Sequence, residues 1–286
     1  MNKVILKIAA IAGVLLSSAA FAQTTLKIGL QDDPDQLDPV RARTFVGRIV
    51  FASLCDKLVD ITPDLKIVPQ LATSWTWLDN KTLKFTLRDK AVYHDGTPID
   101  AASVKANLDR AKTLPDSNRK SELATLVSVD APDSRTVVLH LSEPDASFLS
   151  QLSDRAGMMQ SPKSFDKDPG KNPVCSGPYR FKERVQNDRI VLEKFSQYWD
   201  AKDFHIDTVI FKPVPDATVR LNDLRAGLQL PKDFDFLPKG VLVDRRQSDE
   251  VAFGNARRGR STIDLRYDPL PSACFDQLTG LWNRVI

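Results

Sequence analysis

Pro63-Asp64-Leu65-Lys66-Ile67-Val68-Pro69-Gln70-Leu71-Ala72-Thr73-Ser74-Trp75-Thr76-Trp77-Leu78, then Asp79-Asn80-Lys81, then Thr82-Leu83-Lys84-Phe85-Thr86-Leu87, is the stretch that decides the fold. Ile61 to Lys66 holds a proline-bearing turn, and the two runs around Asp79-Asn80-Lys81 alternate with a period of two. Leu83, Phe85 and Leu87 share one face, so the spacing predicts a half-buried hairpin over 74–87. Trp75 and Trp77 share a face of the first strand, which suits sheet packing better than a sugar platform. Tyr93-His94-Asp95-Gly96-Thr97-Pro98 reads as a tight turn. Asp100 is then placed to cap a helix that carries Ala101, Val104, Leu108 and Ala111 on one stripe.

Toward the N-terminus, Phe45, Ile49, Leu54 and Leu58 recur at near-helical intervals, so a helix is expected within 44–58. Before it, Leu26 to Leu30 alternates as a strand, and the acidic stretch Gln31 to Pro39 forces a loop. Toward the C-terminus a strand pair is expected over 122–143 and a short helix over 145–153, behind Pro144. Residues 163–173 read as a loop. Strands follow at 179–181, 189–194 and 209–211, then a helix from Asp216 to Ala226 capped by Gly227. This is a sheet-rich α+β chain with α/β character and many hairpins.

The 286 residues are 42% apolar and 27% charged, which supports a packed core and argues against wholesale disorder. Met1 to Ala22 has the anatomy of a cleavable secretory signal: Lys3 and Lys7, a short apolar run, and small residues at Ala20 and Ala22. The apolar run falls short of the roughly 20 residues a membrane span needs. Removing the two lysines takes the formal charge from +3 to about +1 (3 − 2), which excludes a strong global attraction to nucleic acid. Cys55, Cys175 and Cys274 sit at no metal-ligand spacing. A Cys55–Cys175 disulfide is one arrangement, and a buried Cys55 acting as a small hydrophobe is the other. Beyond residue 230 the periodicity fails. Residues 231–286 hold 7 arginines and 2 lysines, against 13 and 18 in residues 1–230, and this segment reads as an atypical tail, out of frame or disordered.

Four collinear blocks carry a resemblance. Pro63 to Trp75 and Leu83 to Asp89 with Tyr93 to Pro98 are two of them; Asn172-Pro-Val-Cys-Ser-Gly-Pro-Tyr179 and Asp216-Ala-Thr-Val-Arg-Leu221 leading to Leu224-Arg-Ala-Gly227 are the others. Together they resemble the extracellular solute-binding proteins of family 5, the peptide, dipeptide and nickel-binding components of ABC importers. The resemblance covers residues 25–227. It implies a type II periplasmic-binding-protein fold, of which this chain would carry the first lobe and lack the second, as a truncated or frameshifted copy. The implied segments are 23–44 and 166–230 for the first lobe, with an inserted subdomain over 45–165. The implied role is a periplasmic, monomeric, non-enzymatic component of peptide import, working with two permease and two ATP-binding subunits and needing no cofactor. Its ligand would be a peptide or, alternatively, nickel, glutathione, haem or an opine.

Candidate ligand contacts follow from position. Arg41, Arg43, Thr44 and Phe45 lie after the first strand, where loops of α/β lobes gather ligands, and offer charge, a hydroxyl and an apolar wall. Against this, Arg41 and Arg43 also suit a solvated loop beside Asp35 and Asp38. Cys175 and Ser176 are candidates for the cleft near the hinge, while the glycine and proline beside them equally suit a tight turn. A reading of another class is a secreted hydrolase using Cys175 or a serine, which requires a nucleophile within reach of His94, His140 or His205.

Overall fold

The computed structural model describes residues 24–226. The expected signal (1–22), the capping Gly227, Cys274 and the tail 231–286 lie outside the described residues.

Two four-stranded sheets organise the chain. The first contains β1 (Thr25–Leu30), β8 (Tyr179–Val185), β9 (Arg189–Lys194) and β10 (Thr208–Pro213) in the order β1-β10-β9-β8. β1 and β10 are parallel, from Thr25 opposite Thr208 to Leu30 opposite Pro213; the other pairings are antiparallel. The second sheet contains β4 (Ala72–Trp77), β5 (Thr82–Leu87), β6 (Leu126–Asp130) and β7 (Thr136–Leu141) in the order β4-β5-β7-β6, all antiparallel. A small hairpin, β2 (Val59–Ile61) with β3 (Ile67–Pro69), leads into it.

Each sheet buries its own cluster. α1 (Phe45–Leu54) lays Val50, Phe51 and Leu54 against Leu30, Ile190, Leu192, Val209 and Phe211 of the first sheet. α2 (Ala101–Thr113) lays Val104, Leu108 and Ala111 against Leu83, Phe85, Val137 and Leu139 of the second. Full burial of each such side chain stabilises by about 1.5–3 kcal/mol before entropy is charged. The α2 start matches the sequence expectation: Ser103 N–H donates to Asp100 Oδ1 (2.8 Å), and Asp100 N–H donates to Ser103 Oγ (3.1 Å), a reciprocal capping box. Two short elements complete the outline, α3 (Phe148–Gln151) and α4 (Ala217–Arg225), the latter capped by Asp216.

One expected boundary moves. The inserted subdomain was to begin at residue 45, yet α1 packs with the first sheet. The cluster of the second sheet takes up the chain only from Leu58 onward, joined by Val40. Helical periodicity located α1 but carried no information about which sheet its apolar face would meet. Trp75 is partly buried against the second cluster, while Trp77 is 38% exposed near the hairpin tip.

Candidate functional site

The loop leaving the C-terminal end of β1 is tied by two aspartates. Asp35 accepts hydrogen bonds from Arg43 N–H (2.9 Å), Thr44 N–H (3.4 Å) and Thr44 Oγ1 (2.9 Å). Partial burial pushes its pKa up, but these hydrogen bonds outweigh burial and hold it below the usual value. Asp38 is fully buried and takes Arg110 Nη2 (2.6 Å) and Nη1 (3.2 Å), with Val40 N–H (3.0 Å). Of the expected contacts, Arg41 is committed to ion pairs with Asp116 (2.8 Å) and Asp38 (3.7 Å). Arg43 is exposed and lends the knot its backbone N–H, Thr44 spends its hydroxyl on Asp35, and Phe45 is 43% exposed.

Beneath this loop lies a cluster that the sequence did not reveal. Arg48 comes from α1, Arg119 from the segment after α2, and Arg155 from the 3₁₀ turn Arg155–Gly157. Arg155 Nη1 donates to the carbonyls of Ala42 (3.0 Å) and Thr44 (3.4 Å), and Arg119 Nη2 also donates to Ala42 (3.2 Å). Arg119 pairs with Glu122, and Arg48 with Asp154. Arg119 is 4% exposed and Arg155 7%. Burial, reinforced by the Arg119 charge, lowers the Arg155 pKa; burial raises that of Glu122 against the pull of Arg119. The Ala42 carbonyl that Arg119 and Arg155 share lies 77 and 113 residues away in the chain, so no local pattern marks that contact.

A second knot joins the two sheets. Cys55 and Cys175 form a disulfide across 120 residues, realising one of the two arrangements the sequence left open. His94 Nδ1 accepts Cys175 N–H (3.3 Å), while Nε2 donates to the carbonyl of Gly177 (2.9 Å). Burial lowers the His94 pKa to about 4, so the ring is neutral. Asp56 is completely buried; its Oδ1 accepts from Gln70 Nε2 (3.1 Å) and the Tyr198 hydroxyl (3.1 Å), its Oδ2 from Trp199 Nε1 (2.8 Å). Burial dominates there and pushes the carboxyl up to about 7. Arg88 stacks 3.6 Å from the centroid of Trp199.

Cys175 and Ser176, expected near the cleft, lie inside this knot. Cys175 is buried and disulfide-bonded, so it has no thiol to offer as a nucleophile. Ser176 is buried, accepts Asp56 N–H (3.1 Å) and donates to the Met159 carbonyl (3.0 Å), leaving its side chain turned to protein partners. Both His94 nitrogens face backbone, and His140 Nε2 pairs with Asp130 (2.9 Å). Two shallow depressions of about 360 and 270 Å³ adjoin the knot, both bounded by His94, Asp95 and Arg180. Among the described residues no group of three His, Cys, Asp or Glu could hold a metal ion.

The fold recurs in known proteins. The family model for bacterial extracellular solute-binding proteins, family 5, middle region, matches residues 66–229. The chain belongs to this family. The glutathione-binding protein GsiB of Pectobacterium atrosepticum is 31% identical over 224 residues, 77% of this chain and 44% of that protein. The binding protein AgaA of A. tumefaciens R10, solved with agropinic acid, is 31% identical at a TM-score of 0.67, covering 72% of this chain and 43% of its own. The Escherichia coli murein tripeptide binding protein MppA is 28% identical at a TM-score of 0.66, covering 72% and 45%. The chain thus spans a little under half the length of the family 5 relatives it matches.

Proposed function

We propose that this chain belongs to the solute-binding component of a peptide-class ABC importer, acting in the periplasm by binding and without catalysis. The observation that carries this reading is the family match over residues 66–229 on a fold whose β1 ends in an exposed loop bearing Arg43 and Phe45. Arg41, Arg43, Thr44 and Phe45 are the ligand-facing segment in this reading, with Arg41 contributing through the ion pairs that fix the loop. Main-chain groups of an extended peptide would be met by this segment and by a second lobe, and closure of the lobes would retain the solute. The delivery partners are two permease subunits and two ATP-binding subunits.

Glutathione is a specific alternative within the peptide class, since it is a tripeptide and the relatives at 31% identity are glutathione-binding proteins. Isothermal calorimetry of the purified chain against trialanine, glutathione and nickel chloride tests the proposal. Saturable heat with either peptide is expected. Heat with nickel alone, or with none of the three, overturns the peptide reading.

A further inference from the structure

Cys55 and Cys175 divide the two cores. Among the described residues, every buried side chain of the second core except Val40 lies between Leu58 and Met159, inside the stretch that the two cysteines bound. Every buried side chain of the first core except Met158 lies outside that stretch, or is one of the cysteines. The bridge therefore closes the base of the insertion, where the chain enters and leaves the second sheet. Entry and exit run side by side there. Gly177 N–H donates to the Leu54 carbonyl (3.0 Å), and Asp56 N–H donates to Ser176 Oγ (3.1 Å). Beside them, Met159 N–H donates to the Asp56 carbonyl (3.0 Å) and Ser161 N–H to that of Val174 (2.8 Å).

Both cysteines are packed in the first core, Cys55 1% exposed and Cys175 0%. Opening of the second sheet leaves them packed; opening of the first sheet releases them. A cross-link disfavours the state in which its ends would otherwise separate, so this bridge acts against opening of the first sheet. That sheet is also the one assembled from two distant pieces: β1, with α1, before the insertion and β8 to β10 after it. The second sheet draws all four strands from inside the closed loop and needs no bridge to bring them together.

We propose that Cys55–Cys175 is a redox latch on the first sheet. With the bridge reduced, the chain keeps its second sheet closed while the first opens far more often; oxidation secures the first sheet and the loop that follows β1. In the closing step the two thiols exchange with the disulfide of a dithiol oxidant. One sulfur–sulfur bond forms, the oxidant's breaks, and both protons leave on the oxidant as its dithiol. The buried sulfurs admit no attacking thiolate in the closed core, so exchange takes place while the first sheet is open. The latch ties completion of the first sheet to an oxidising compartment.

The test uses the purified chain carrying Cys274→Ser, so that Cys55 and Cys175 are its only cysteines. Reduced protein, unfolded in urea with dithiothreitol and refolded with the reductant present, is compared with oxidised protein by peptide-resolved hydrogen exchange. Exchange at least about tenfold faster in β1, α1 and β8 to β10, with β4 to β7 and α2 within about twofold, is expected. Cys55→Ala with Cys175→Ala should give the same pattern without reductant. Equal acceleration in both sheets, acceleration in neither, or a pattern absent from the alanine variant overturns the latch. Dithiothreitol should open the native bridge only once urea is added, and reduction at the same rate without urea overturns it too. Solute binding enters neither readout, so the latch and the importer reading stand or fall separately.

Discussion

Asp56 and His94 lie in the same knot and titrate in opposite senses. Asp56 binds its proton more tightly folded than unfolded, so its contribution to stability is complete below the ordinary value of 3.8 and is lost as pH rises through about 7. His94 contributes above the ordinary 6.5 and loses that contribution as pH falls through about 4. Between pH 4 and 7 the two largely offset, each covering a few kcal/mol at about 1.4 kcal/mol per pKa unit. Asp56→Asn should therefore make the protein acid-labile between pH 6.5 and 4, and His94→Asn should make it lose stability from pH 4 to 7. Urea midpoints at pH 4.5 and 7.5 read both; unchanged pH profiles in the two variants would disprove the pairing. None of this was visible in the sequence, because Asp56 meets Tyr198 and Trp199 across more than 140 residues. His94 was legible as part of a turn but not as the partner of Cys175 and Gly177.

Elements whose causes are local were the legible ones. The β4–β5 hairpin declares itself through alternation, and α2 through Asp100 and its apolar stripe, since these signals lie within one window of chain. Asp100→Ala should cost about 1 kcal/mol, measured by the shift in urea midpoint. Contacts between elements were not legible. Gly177 shows why: a Cβ there would sit 2.7 Å from the backbone carbonyl of Leu54, at the end of α1. Gly177→Ala must therefore push the start of β8 away from α1, at a cost of about 1–3 kcal/mol. Removing the neighbouring bridge by Cys55→Ala with Cys175→Ala should cost about 2–5 kcal/mol for a loop of this size. A double variant that unfolds at the wild-type urea midpoint would show that the bridge adds nothing to the α1–β8 contact.

At the scale of the whole molecule, the two hydrophobic clusters are separate cores held together at the Asp56 knot and at the loop where Asp38 takes Arg110 of α2. Trp199 packs partly against both, and Asp56 crosses the seam through Gln70, Tyr198 and Trp199, while the disulfide lies within the first core. The wild-type chain should unfold in a single calorimetric transition while this seam is intact. Protein carrying Asp56→Ala together with Arg110→Ala should show two transitions, one for each sheet; a single transition in that variant would place the coupling elsewhere. The sequence reading began the inserted subdomain at residue 45, whereas α1 packs with the first sheet, because amphipathic spacing records that a face is apolar and not what it will meet.

The parallel pairing of β1 with β10 also sets a schedule for synthesis. Its partner strand begins 183 residues later, from Thr25 to Thr208, so the ribosome needs on the order of 10 s or more to supply it. Over that interval the β2–β3, β4–β5 and β6–β7 hairpins can close on nearby chain, while β1 waits with its backbone groups unpaired. The earliest strand to emerge is thus among the last to be secured. During this interval the nascent chain has a finished second sheet and an open first one, a state that leaves its leading end free to be handled by whatever receives it.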